Sequence, residues 1–202
     1  MKMKTLKLSM LAFAALSIGF ISCGKKDTPT PEPTPAVTKT DSLRTSFSAT
    51  APYTFYSFKN GAVVANSDSA TNKWDFGVRF VNIIVNSHAS GPGSAGVITQ
   101  PGIFESFSTA PETGYAYDTT STKMAINAGF TTGWYNYDPA DPTHTFHPKA
   151  GQFFVFKTSD NHYVKMEILS VDYADFVSPT APPKTLIYKF RYTYQPDGSR
   201  NF

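Results

Sequence analysis

The residues of this chain best suited to chemistry lie in its middle. His144 and His147 stand in the segment DPTHTFHP (141–148), and Met124 precedes them by about twenty residues. Imidazole nitrogen and thioether sulfur are competent iron ligands. Phe130, Tyr135, Tyr137 and Phe146 would give such a site apolar walls. The spacing limits the arrangement: two residues separate the histidines, so on an extended segment they point to opposite sides and do not grip one metal together. One histidine is expected to dominate, with Met124 or water opposite. Protonation competes with a metal for imidazole, so binding through it weakens below about pH 6. The plain alternatives are two solvated loop histidines and an ordinary packing methionine. His88 and His162 fall in turns and are read as solvent-facing. Asp138, Asp141, Asp172 and Asp175 could hold Ca²⁺ or act as an acid/base pair, although aspartates are common in turns for backbone reasons alone. No Gly-x-Ser-x-Gly elbow, His-Glu-x-x-His motif or nucleotide loop occurs, and the chain is not read as an enzyme.

A different chemistry attaches to Cys23, the only cysteine. Lys2, Lys4 and Lys7 form a basic start, Leu8 to Ile21 an apolar stretch, and Ser22 a small residue before the thiol. This is a secretory signal of the lipoprotein kind over residues 1–22, with Cys23 the residue that takes the lipid. The apolar stretch falls short of the ~20 residues of a membrane span. Loss of the three lysines brings 18 Lys+Arg to 15, against 15 Asp+Glu. The mature protein is then near neutral, and the basic footprint of a nucleic-acid binder is absent. The Thr/Pro-rich segment to residue 40 is an extended tether, which leaves 41–202 as a single domain.

The elements that must position these residues are strands. Aromatic and β-branched runs are broken by Gly, Pro, Asn and Asp, and no apolar helical period persists for ten residues. The expected class is all-β, a single antiparallel domain of sandwich-like meander. From 151 to 170 two strand-like runs flank the turn Ser159 to His162, a β-hairpin. In its second run Val164, Met166 and Ile168 face a core while Lys165 and Glu167 face water. Its first run, Phe153 to Phe156, is apolar on both faces, so something must cover the far side. Leu186 to Tyr194 alternates as a third strand. Further strands are expected at Tyr53–Ser57, Ala62–Val64, Trp74–Phe80, Asn82–Val85, Gly96–Ile98, Phe104–Phe107, Lys123–Ile126 and Gly133–Tyr137. The glycine-rich turn Ser90 to Gly96 could cradle phosphate, but it lacks a P-loop's Lys-Ser/Thr and following helix. Tight reversal after a buried strand is the simpler reading.

Trp74-Asp75 opening an apolar strand, Asn86 closing it and Ser90-Gly91-x-Gly93-x-x-Gly96 following resemble the HmuY-type haem-binding lipoproteins of Bacteroidetes. The likeness continues through Phe55-Tyr56-Ser57-Phe58-Lys59-x-Gly61, Gly133-Trp134, the 153–165 hairpin and Phe190-Arg191-Tyr192-Thr193-Tyr194. The resemblance implies an all-β lipoprotein anchored to the outer membrane, facing the cell surface. Such a protein takes haem, or a related tetrapyrrole, from a donor haem-protein for iron acquisition and hands it to an outer-membrane transporter. Members of this type hold iron between two axial histidines or methionines on loops between the glycine turn and the final hairpin. Where the second would fall this chain has Asp138-Pro139, and proline cannot ligate a metal, so His144, His147 and Met124 are the donors it offers instead. The alternative is a non-catalytic adhesion or scaffold module that has the fold without the ligands. A ligand-competent pair facing one apolar cleft supports the first reading, and scattered donors support the second.

Overall fold

The aromatic and β-branched runs form antiparallel strands, described here from a computed structural model for residues 34–141, 144–175 and 183–202. In chain order they are β1 (Val37–Ser46), β2 (Thr54–Ser57), β3 (Ala62–Val64), β4 (Phe76–Arg79), β5 (Asn82–Val85) and β6 (Gly96–Pro101). Then come β7 (Tyr135–Tyr137), β8 (Phe146–Pro148), β9 (Gln152–Lys157), β10 (Tyr163–Tyr173) and β11 (Thr185–Gln195). One sheet runs β1-β11-β10-β8-β7, with β9 also on β10 and β6 on β9; the other runs β3-β2-β4-β5. Every pairing is antiparallel. The expected all-β class is what the chain adopts.

The two sheets meet through aromatic side chains. Phe58 lies 5.0 Å from Phe156, and Tyr56 and Phe76 meet Phe190 edge-on at 5.1 and 5.7 Å. Val164, Met166, Ile168, Leu186, Tyr188, Phe190 and Tyr192 join the same buried cluster, as the period-2 pattern predicts. A bulge between Ile168 and Ser170 then shifts the phase. It turns Leu169 outward and Val171 inward.

The far side of β9 is covered as expected, and the cover corrects two expectations. Phe104 to Phe107 is a turn rather than a strand; with Ala110 and Phe202 it packs on Phe153 and Val155. Lys165 pairs with Val155 and shares its face, so it is buried rather than in water. Its ammonium donates to the Phe104 and Phe107 carbonyls at 2.9 and 2.7 Å.

Other differences have equally local causes. β1 starts at Val37, inside the stretch read as tether, because Val37 to Thr40 find partners from Tyr194 to Arg191 on β11. Lys123 to Ile126 forms no strand; the buried Asp118 carboxylate pins it as a loop by accepting the Ala125 N–H at 2.7 Å. Phe146 to Pro148, read as loop, is β8. His162 is largely enclosed rather than solvent-facing, its ring stacked on Tyr194 and its Nε2 3.2 Å from the Pro196 carbonyl. His88 is exposed as expected. Cys23, the signal segment and most of the tether lie outside the described residues. No helix among the described residues is long and apolar enough to cross a membrane.

The glycine turn is built for close packing rather than for anion binding. A Cβ on Gly91 would stand 2.2 Å from Asn86 Oδ1 and 2.5 Å from Trp74, and one on Gly93 would stand 2.3 Å from Ser159 Oγ. Buried Asn86 fastens the turn, donating to the Trp74 carbonyl at 2.8 Å and accepting the Gly93 N–H at 2.9 Å. The Ser94 N–H is taken by Ser159 Oγ. Amides a phosphate would need are already spent.

Candidate functional site

The structure separates the donors that the sequence offered. Met124 is half-buried against Phe55, Trp74 and Ile84. It lines an open pocket of about 590 Å³ beside the β4–β5 hairpin, and its sulfur lies 3.8 Å from the Ser90 hydroxyl, a weak contact. His144 and His147 do not line that pocket. His144 has a left-handed backbone (φ 48°), stacks on Tyr137 and places Nδ1 3.2 Å from the Tyr137 hydroxyl. His147 sits exposed on β8 with Nε2 3.2 Å from Asp141 Oδ2. The aromatic walls expected around them split in the same way. Tyr135 and Phe146 belong to the core, while Phe130 is exposed. No group of three His, Cys, Asp or Glu side chains among the described residues could hold a metal ion.

Two of the four expected carboxylates serve the backbone instead. Asp138 caps its turn at the Ala140 N–H, and Asp175 accepts the Lys184 and Thr185 N–H groups. Asp172 meets Lys189 at 3.3 Å.

Several strands and one loop position the Met124 pocket. Arg79 ends β4 and pairs with Asn82, which begins β5, across the two-residue turn Phe80-Val81. Phe80 has φ 52°, a conformation strained for a bulky side chain. The surroundings hold it: the Phe80 carbonyl accepts the Tyr188 hydroxyl, and the Val81 carbonyl accepts the Trp134 indole N–H at 3.0 Å. Phe47 and Phe146 flank the Phe80 ring edge-on. On the other wall, Asp118 joins β5 to the Met124 loop by accepting N–H groups of Val85 and Ala125. Ile126 anchors that loop in the core.

The pocket's charge is one-sided. Arg79 and Lys123 line it and no carboxylate does. The Arg79 guanidinium carbon lies 4.2 Å from the centre of the Tyr53 ring. Burial pushes the Tyr53 hydroxyl up, against the pull of Arg79, so it remains a neutral phenol. Neither residue belongs to a recognisable motif. The available signal was that Arg79 is, with Asp75, one of two charges in the apolar run from Trp74 to Asn86.

A second, smaller pocket of about 230 Å³ contains Asp75, Asp160, Lys59 and Tyr194. The Asp75 carboxyl is pushed up to about 7, chiefly by burial, although it accepts the Phe58 N–H at 2.7 Å. Asp160 is committed to Thr158, Lys59 and His162.

No protein-family model and no curated protein matches the chain. In fold it is similar to HmuY-like proteins of Bacteroidetes. One is a candidate HmuY-like haem-binding protein of Bacteroides vulgatus, 15% identical, with 77% of this chain and 92% of that chain covered and a TM-score of 0.46. Another is the apo HmuY analogue of Tannerella forsythia, 12% identical, with 82% and 99% covered and a TM-score of 0.49.

Proposed function

We propose that this chain is a surface lipoprotein that binds haem, or a related tetrapyrrole, in the Met124 pocket and passes it to an outer-membrane transporter, with Cys23 as its lipid anchor. The observation that carries the reading is the pocket itself: about 590 Å³, open on one side, with a thioether, an aromatic ring and two cations in its lining and no acid. That volume lies within the ~300–1,000 Å³ range of small-molecule sites. Of the three donors only Met124 lines the pocket, so it, rather than a histidine pair, would hold the iron. The iron would supply the coordination bond, and Tyr53, Met124, Ile126 and Ala128 the apolar contact among otherwise polar neighbours. The role is binding rather than catalysis.

The scaffold reading has one observation in its favour, the scatter of the three donors. Haemin titration of wild type, Met124→Ala, His144→Ala and His147→Ala separates the two, read by Soret position and affinity. The expected result is a saturable Soret shift that Met124→Ala alters and both histidine variants preserve. Absence of any shift in wild type establishes the scaffold reading. A thioether does not protonate, so affinity should stay level between about pH 7.5 and 5.5. A ligand imidazole would lose affinity below its ordinary pKa of about 6.5.

A further inference from the structure

The smaller pocket, of about 230 Å³, keeps open polar groups that the fold does not use. It lies where the turn after β2, the loop before β4, the β9–β10 turn and β11 meet. Asp75, buried just before β4, accepts the Phe58 N–H on Oδ2 at 2.7 Å, while its Oδ1 accepts no hydrogen bond among the described residues. It forms no ion pair among them either. A buried carboxyl group ordinarily finds partners for both oxygens. The Tyr194 hydroxyl and the side-chain amides of Asn60 and Asn72 line the same pocket, and they too make no hydrogen bond among the described residues. These groups are held in place beforehand. The Tyr194 ring stacks on His162, whose Nε2 donates to the Pro196 carbonyl. Thr158 fastens the β9–β10 turn by accepting the His162 N–H at 2.9 Å. The two lysines of the pocket are already paired, Lys59 with Asp160 and Lys73 with Asp68.

The mixture of open groups selects the ligand class. An ammonium ion only donates, so it would leave the phenol and amide protons unused, and Lys59 and Lys73 would repel it. A phosphate only accepts, and it would face the Asp75 carboxyl. A sugar hydroxyl donates and accepts at once. It can give its proton to Asp75 and take one from Tyr194 or an asparagine amide. The volume lies below the ~300–1,000 Å³ of drug-sized sites, so there is room for one ring rather than several.

We propose that this pocket is a saccharide site that takes a single pyranose unit, with Asp75 accepting from a ring hydroxyl and Tyr194, Asn60 and Asn72 completing the set. It is separate from the Met124 pocket. Tyr194 pairs with Val37 at the start of β1, whereas Thr45, near the end of that strand, donates to the Val78 carbonyl beside Arg79. The two pockets therefore sit toward opposite ends of β1.

The test is saturation-transfer NMR of the protein with the methyl pyranosides of glucose, galactose and mannose and with N-acetylglucosamine. Ethanolamine and inorganic phosphate serve as the cation and anion probes. At least one saccharide should bind saturably with a Kd of roughly 0.1–10 mM, and neither ion should compete with it. Asp75→Asn retains an acceptor for the Phe58 N–H but turns an N–H₂ toward the ring, and should weaken binding about ten-fold or more. Tyr194→Phe keeps the ring on His162, loses the hydroxyl and should weaken binding about three-fold or more. Should Asp75→Asn melt well below wild type, Tyr194→Phe decides. Absence of binding by all four saccharides overturns the proposal, as does saccharide binding that both variants keep at wild-type strength. Saturable binding of ethanolamine or phosphate in place of a saccharide overturns it in favour of an ion site.

Discussion

Lys165 and Arg79 are both cations set in β-strands and placed over aromatic rings, and they differ in what their N–H groups meet. Lys165 lies over Phe104 and Phe202, and its ammonium donates to two backbone carbonyls. Arg79 lies over Tyr53, and its Nε meets no acceptor. The satisfied cation closes a layer of the fold: it ties the 104–107 turn to β10 and so covers the outer face of β9. The unsatisfied one borders an open pocket. Burial of a charge is therefore not by itself a sign of function.

Lys165→Ala removes the donor to two buried carbonyls and opens a void under Phe104 and Phe202. It should cost about 2–4 kcal/mol in urea unfolding. Lys165→Met refills the void yet leaves both carbonyls unmet, and should recover only part. A loss under about 0.5 kcal/mol for the alanine variant would show that the two cations are alike.

Lys165 also shows how far the sequence could be read. Strict alternation in β10 correctly turns Val164, Met166 and Ile168 to the core, and by the same rule turns Lys165 to water. Yet Phe153 to Phe156 already required a second cover on β9, and antiparallel pairing puts Lys165 on the face of Val155. The two expectations conflict, and the cover wins because Phe104, Phe107 and Phe202 arrive from distant parts of the chain. β1 was hidden for a related reason. Val37 to Thr40 carry no apolar pattern and become a strand only because β11 offers them a free edge. The candidate site was less legible. Met124 could be nominated as a donor, but its separation from His144 and His147 depends on the Asp118 loop and the β7–β8 hairpin, neither of which has a local signature. Arg79 was visible only as a charge in an apolar run. That its Nε lacks a partner is a property of the folded state.

Asp75 is buried like Lys165 but carries a carboxyl group whose charge burial disfavours. Burial raises its pKa to about 7 from an ordinary 3.8, so the folded state binds this proton more tightly than the unfolded chain does. Its contribution to stability is present in full below about pH 4 and is lost as pH rises through about 7. Asp75→Asn keeps an acceptor for the Phe58 N–H and carries no charge. It should gain stability relative to wild type as pH goes from 5 to 8, measured as the difference in melting temperature at each pH. A pH-independent difference would place the Asp75 titration outside that window.

Arg79→Gln should have the smallest effect on stability. The ligand-free protein should change by less than about 1 kcal/mol, roughly the worth of its contact with Tyr53. A loss as large as that of Lys165→Ala would make Arg79 a structural cation after all.

The proposed haem site turns on whether the thioether of Met124 meets the iron of a bound tetrapyrrole. Protein labelled with ¹³C at its methionine methyl groups, titrated with haemin and observed by NMR, tests this directly. Met166, buried in the core, serves as the internal reference, and Met124→Ala assigns the Met124 signal. The Met124 methyl resonance should broaden or shift strongly in step with Soret saturation while the Met166 resonance changes far less. A saturated Soret band with the Met124 resonance unmoved would contradict it.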